Sequence, residues 1–62
     1  MKPYKIITAN KNTVVVDYFN KTITYDVVLE NDKFVDLTTT EDDSDVSLSI
    51  ISMVCREVET MI

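Results

Sequence analysis

The feature that most constrains this chain is the alternation of apolar and other side chains between Tyr4 and Thr39. The alternating apolar residues of the two clearest runs are Val14, Val16, Tyr18, Ile23, Tyr25, Val27 and Leu29. Successive side chains of a β-strand point to opposite faces of a sheet, and β-branched and aromatic residues pack well on such a face. The region is therefore predicted to form an antiparallel sheet with one apolar face.

The 62-residue chain contains no glycine, so its turns must be made by asparagine and aspartate, which tolerate positive φ. Asn20-Lys21 is predicted as a two-residue hairpin turn, and three-residue loops are predicted at 10–12 and 31–33. The expected cross-strand pairs are Tyr4–Tyr18, Lys5–Asp17, Ile6–Val16, Tyr18–Ile23, Val16–Tyr25, Val14–Val27, Leu29–Val35 and Val27–Leu37. These turns give a four-stranded meander, in which each strand pairs with the next.

After the threonines at 38–40 the apolar spacing becomes helical and continues to Met61. Thr40 is predicted as the N-cap, with Asp43 completing an approximate capping box, because carboxylates are favoured at the positive end of the helix dipole. The fold class is thus α+β: a four-stranded antiparallel meander followed by one C-terminal amphipathic helix packed on one sheet face. Residues 1–62 are expected to form a single small domain.

Composition argues against most chemistry. The chain has no histidine and no tryptophan, and its one cysteine, Cys55, cannot form an internal disulfide. A calcium loop starting at Asp43 would need glycine and glutamate where Leu48 and Val54 stand. The serines have no histidine base, and paired carboxylates on an open sheet have no pocket to separate their pKa values. We expect no enzymatic activity, no cofactor and no metal, and we interpret Cys55 as a small core residue, with a reactive thiol as the alternative.

Partners and compartment follow from charge and hydropathy. A net charge of -5 and a pI near 4.3 disfavour direct binding to nucleic acid or to an anionic membrane. No segment reaches the ~20 apolar residues of a membrane span, and the start has no signal-peptide run, so we expect a cytoplasmic protein.

The chain has more apolar surface than one sheet and one helix cover. Apolar residues of the helix fill an arc of roughly 200° on a helical wheel, whereas one sheet face covers a narrower stripe. The outer sheet face is also predicted to carry Ile7, Val15, Phe19, Val28 and Phe34. We therefore expect a homo-oligomer, with a dimer as the first interpretation, through the outer sheet face or through the helix flank formed by Leu48, Ile51, Cys55 and Ile62. Scattered apolar surface of the ordinary kind is the alternative.

The acidic residues suggest a docking surface for another protein. The candidates are Glu41, Asp42, Asp43 and Asp45 for charge, with Phe19 and Phe34 as aromatic anchors. Such a surface would suit a basic patch of a protein partner, including one that normally holds nucleic acid. The alternative is that the negative charge only maintains solubility.

In its shortness, acidity and scarcity of cysteine the chain resembles the accessory proteins that phages make to redirect host machinery, a likeness that covers no particular motif. It implies an inhibitor acting in the host cytoplasm. Two functional classes remain: a non-enzymatic binding module, and a structural or assembly subunit that acts through homo-oligomerisation.

Overall fold

The computed structural model describes residues 2–62, and Met1 lies outside the described residues. Four strands come first: β1 (Lys5–Ala9), β2 (Thr13–Asp17), β3 (Thr22–Glu30) and β4 (Lys33–Thr38). They form one antiparallel sheet in the order β1-β2-β3-β4, and helix α1 (Leu48–Met61) follows. The predicted α+β meander with a C-terminal helix is confirmed. No helix within residues 2–62 combines the length and the apolar character needed to cross a membrane.

The core lies between α1 and the face of the sheet predicted from the alternation. Its buried residues are Tyr4, Val14, Val16, Tyr18, Ile23, Tyr25, Val54 and Val58. The helix contacts both edge strands, β1 and β4, so it crosses the sheet rather than following one strand. Two tyrosine hydroxyls meet inside this layer, with Tyr18 Oη 2.7 Å from Tyr25 Oη. Their hydrogen bond satisfies two polar groups that burial would otherwise leave without a partner.

The helix begins later than the acidic run suggests. Ser47 is the N-cap, and its hydroxyl accepts a hydrogen bond from Ile50 N at 3.2 Å. The prediction of Thr40 as N-cap with Asp43 in the first turn is therefore wrong, and the first turn contains no acidic residue. The reason is tertiary: residues 39–45 make hydrogen bonds to the sheet and to each other, and these compete with a helical conformation.

The hairpin between β2 and β3 turns one residue earlier than predicted. Tyr18 N donates to Lys21 O at 2.9 Å, so Phe19 and Asn20 are the turn residues instead of Asn20-Lys21. The register is accordingly Val14 opposite Tyr25 and Val16 opposite Ile23, which replaces the predicted pairs Tyr18–Ile23, Val16–Tyr25 and Val14–Val27. Moving a two-residue turn by one position shifts the pairing by two residues. Every side chain then keeps its face, so the alternation argument could not detect the error.

The β1–β2 hairpin combines a shorter turn with a bulge. Asn10 N donates to Thr13 O at 3.0 Å, and Asn10 Oδ1 accepts from the N–H groups of Asn12 and Thr13. This side chain acts in the turn without any positive φ. An irregularity between Ile6 and Thr8 adds one residue to β1, so Ile6 still pairs with Val16, and Lys5 with Asp17, as predicted.

The β3–β4 hairpin is likewise tighter than predicted. Glu30 pairs with Lys33 across Asn31 and Asp32, whose φ values of 54° and 64° match a type I′ turn. A bulge then places Phe34 opposite Leu29, whereas Val27 keeps its predicted partner Leu37.

This bulge reverses the predicted faces of two side chains. Val35 is the unpaired residue and is exposed, and Phe34 packs against the core. The placement of Val35 on the inner face opposite Leu29, and of Phe34 on the outer face, is therefore wrong. The physical reason is that one extra residue in a strand inverts the alternation beyond it.

Candidate interaction surface

The acidic segment, residues 41–45, follows β4 and lies beside the part of β3 that β4 does not reach. Glu41 Oε2 accepts a hydrogen bond from Thr24 N at 2.6 Å, and Thr39 Oγ1 donates to Thr24 O at 2.9 Å. These two side chains replace the missing neighbouring strand at Thr24. Thus the carboxylate of Glu41 stabilises the fold as well as contributing charge.

Lys21 joins this segment to the β2–β3 hairpin. Its Nζ lies 2.6 Å from Asp45 Oδ1 and also contacts the main-chain oxygen of Asp42. The hydrogen bond from Lys21 lowers the pKa of the Asp45 carboxyl, and hydrogen bonds from Ser44 lower the pKa of Asp42. Both carboxylates are therefore charged at neutral pH and remain exposed to solvent. Asp43 is half-buried, and its main-chain oxygen accepts from Val46 N at 3.0 Å.

Phe19 lies at the tip of the same hairpin and is 64% exposed. Its φ of 73° is in the left-handed region, which a bulky residue occupies only at a cost. Positive φ at the first turn residue and not at the second is the pattern of a type II′ turn, in which glycine is preferred at Phe19's position. Asp17 Oδ1 accepts from Phe19 N at 2.7 Å and fixes this conformation.

Phe19 and the acidic segment therefore lie at the same end of the sheet, and we call this set of residues, 19 and 41–45, the acidic tip. Lys21 holds the hairpin and the segment together through Asp42 and Asp45. Five of the six predicted partner-binding residues belong to this tip. The sixth, Phe34, lies near the opposite end of β3, next to the turn at Asn31-Asp32, and packs against the core.

The residues predicted for oligomerisation are unequally exposed. Leu48 is 81% exposed at the first position of α1. Ile51, Cys55 and Ile62 are half-buried, and Ile62 packs against the core. Burial raises the pKa of the Cys55 thiol, with a smaller contribution from Asp36. The flank is thus partly covered within one copy, and Leu48 is its one exposed apolar residue.

Sequence reasoning missed an open groove of about 360 Å³ between the residues preceding β1 and helix α1. It is lined by Lys2, Tyr4, Met53, Arg56, Glu57 and Thr60. Tyr4 Oη donates to Met53 O at 3.4 Å and lies 3.3 Å from Glu57 Oε1, which anchors the ring against the helix. Periodicity places Tyr4 in the core, and no local pattern indicates that its edge borders a cavity.

The electrostatics of the groove differ from those of the acidic tip. Lys2 donates to the Glu57 carboxylate, which raises the pKa of Lys2 and lowers that of Glu57. Within residues 2–62 Arg56 has no ion-pair partner, so its positive charge is available at the rim. The groove can therefore accept an apolar group that carries a neighbouring negative charge.

Neither a metal centre nor a related protein indicates what this surface does. Among residues 2–62, no group of three or more cysteine, aspartate or glutamate side chains converges as metal ligands would. No family model, no curated protein and no solved structure matches the chain. Function must therefore be inferred from the acidic tip and from the apolar side chains that the fold leaves exposed.

Proposed function

We propose that this chain is a non-enzymatic binding module whose acidic tip docks on a basic surface of a partner protein. The observation that carries the proposal is Phe19, an exposed aromatic side chain held at positive φ beside the acidic segment. Strained conformations persist where the surrounding structure enforces them, and they concentrate at functional sites. Glycine would relieve the strain at this turn but would provide no side chain for a partner to bury.

Charge and anchor have separate roles in this proposal. The carboxylates of Asp42 and Asp45 are exposed and charged, so they increase the rate of encounter with a basic partner. The aromatic ring of Phe19 then provides apolar area at the centre of the contact. The partner surface is one that carries lysine and arginine around an apolar pocket, and surfaces that bind single-stranded nucleic acid combine basic and stacking groups in this way. An inhibitor of the phage type, acting in the cytoplasm, fits these properties.

A second candidate function is structural: assembly through homo-oligomerisation. It is favoured by the large apolar side chains that one copy leaves exposed, namely Ile7, Phe19, Val28, Val35, Leu48, Met53 and Met61. Both edge strands carry bulges, which discourage strand-to-strand pairing between copies. Assembly would therefore use side-chain surfaces rather than an extended sheet.

The test is a pull-down from cytoplasmic lysate with three forms of the tagged chain, at 50 and 300 mM salt. The first form is the wild type, and the second carries Asp42→Asn and Asp45→Asn, which remove two charges from the tip. The third carries Glu30→Gln and Asp32→Asn at the opposite end of β3, so its net charge changes by the same amount. Asparagine tolerates the positive φ of Asp32, so this control keeps its turn.

We expect the wild type and the control to retain one foreign protein in stoichiometric amount at low salt. Retention should fall steeply at the higher salt, because screening weakens exposed charge pairs. The Asp42/Asp45 variant should lose that protein under both conditions. Recovery of only the bait's own copies would favour the assembly function, and equal retention by both variants would refute a role for the acidic tip.

A further inference from the structure

The groove and the hairpin that carries Phe19 lie at the same end of the molecule. Tyr4 immediately precedes β1, and Lys5 pairs with Asp17 at the last position of β2. Phe19 follows Asp17 by two residues in the adjoining turn. One end of the sheet therefore presents an exposed aromatic side chain together with a groove that has an apolar floor.

The two features are complementary in chemistry. The groove offers the exposed Met53 side chain and the edge of the buried Tyr4 ring as apolar surface, with Arg56 at its rim. The hairpin offers a phenyl ring and, two residues before it, the carboxylate of Asp17. A volume of about 360 Å³ falls at the small end of the range for pockets that bind organic groups, which suits one aromatic side chain.

We infer that the groove binds the Phe19 side chain of a second copy of this chain. The ring packs on the exposed Met53 side chain beside the edge of Tyr4, and Arg56 interacts with the incoming ring face or with the Asp17 carboxylate. Because Phe19 and the groove share one end of the molecule, a two-fold axis through that end allows each Phe19 to enter the other copy's groove. Such reciprocal contacts are the usual basis of a closed dimer.

This dimer goes beyond the proposed docking function and does not rest on it. The dimer contact lies at the groove and at Phe19, not at the predicted helix flank near Leu48. It leaves Asp42 and Asp45 at the surface. A copy whose Phe19 is buried in the dimer cannot use that ring on a foreign partner, so the two interactions compete.

The experiment measures self-association of the purified chain by sedimentation equilibrium between 1 and 500 μM. The variants are Phe19→Gly, which removes the ring and relieves the strained turn, and Arg56→Glu, which reverses the charge at the groove rim. Lys11→Glu changes the net charge equally, at a hairpin on the opposite end of the sheet, and serves as the charge control. Leu48→Ala is the control for loss of another exposed apolar side chain. Far-UV circular dichroism verifies that each variant is folded.

We expect the wild type to form dimers, and Phe19→Gly to weaken dimerisation at least about thirty-fold, as for a central aromatic anchor. Arg56→Glu should also weaken it, whereas Lys11→Glu and Leu48→Ala should change it less than about threefold. The decisive sample is an equimolar mixture of the two weakened variants. One contact is intact in the mixed dimer, between Phe19 of the Arg56→Glu chain and the groove of the Phe19→Gly chain. The mixed dimer should therefore be tighter than the Phe19→Gly homodimer, in which neither groove receives a phenyl ring.

Three results would overturn the inference. The first is a monomeric wild type across the whole concentration range. The second is a Phe19→Gly chain that associates with the Arg56→Glu chain no better than with itself. The third is an effect of Leu48→Ala larger than that of Phe19→Gly, which would place the interface on the helix flank. Because the experiment contains only this chain, none of these results bears on docking to a foreign partner.

Discussion

The hydrogen bond between Tyr18 and Tyr25 yields the most quantitative prediction about the core. The two hydroxyl oxygens are 2.7 Å apart, and the residues are only 7% and 2% exposed. Tyr18→Phe removes one hydroxyl and leaves that of Tyr25 buried without this partner. An unsatisfied buried polar group of this kind costs about 1–3 kcal/mol of unfolding free energy. Tyr25→Phe should cost a similar amount for the same reason.

The double variant distinguishes this explanation from simple loss of packing. Replacing both tyrosines removes the donor and the acceptor together, so no polar group remains stranded, and the double variant should lose about 1 kcal/mol or less. The double variant then loses less unfolding free energy than the two single variants lose together. The difference, which is the coupling energy between the two hydroxyls, should be at least about 1 kcal/mol. Urea unfolding at fixed protein concentration, followed by far-UV circular dichroism, measures the unfolding free energy of the wild type, the two single variants and the double variant.

Tyr4→Phe supplies the matched control for this cycle. The Tyr4 hydroxyl makes longer contacts, at 3.3 and 3.4 Å, and these do not involve the other tyrosines. Its loss should therefore cost less and should add to the effect of Tyr18→Phe within about 0.5 kcal/mol. Additive costs for Tyr18→Phe and Tyr25→Phe would refute the claim that the two hydroxyls satisfy each other.

Three further predictions concern the cap, the strained turn and pH. Ser47→Ala should lower the unfolding free energy by about 1 kcal/mol, because the hydroxyl caps Ile50 N, whereas Thr40→Ala should change it by less than about 0.5 kcal/mol; urea titration compares them. At a protein concentration where the chain is monomeric, Phe19→Gly should raise the melting temperature, since relief of roughly 1–3 kcal/mol of strain exceeds the entropic cost of glycine; a lower melting temperature contradicts this. Burial raises the pKa of Tyr18 and Tyr25 above the ordinary value of 10.0, so the folded state holds these protons more tightly. Stability should therefore be constant with respect to these groups below about pH 10 and should fall as pH rises further, a decline that the double tyrosine-to-phenylalanine variant should reduce.

Side-chain alternation was sufficient to predict the sheet, its order and most of its inner face. Val14, Val16, Ile23 and Tyr25 are buried as predicted, although each has a different partner across the β2–β3 hairpin from the one expected. Alternation with a period of two determines which face of the sheet a side chain occupies. It does not distinguish between registers that differ by an even number of residues. The register depends on the turn at Phe19-Asn20, which no propensity rule favours, because Phe19 has a positive φ.

Bulges and long-range contacts account for the other differences between the predicted and the observed structure. The extra residue at Val35 inverts the alternation between Val35 and the turn, so Phe34 is half-buried and packs against the core. The start of the helix was missed because Glu41 binds Thr24 N, a contact between residues far apart in sequence. The same limitation applies to the groove, since Lys2 and Tyr4 meet Glu57 only after the helix crosses the sheet. The acidic tip was largely predictable, because its charged residues are consecutive.

The most direct test of the central claim, that this fold acts through contact with another protein chain, is its native mass in crude lysate. The tagged chain would be followed by size-exclusion chromatography at low salt, beside the purified Phe19→Gly variant as a marker for the single copy. We predict elution at a mass well above twice the 7.1 kDa of one chain, and a return to that of one or two copies at high salt. Elution of the wild type at the mass of a single copy under both conditions would contradict the account.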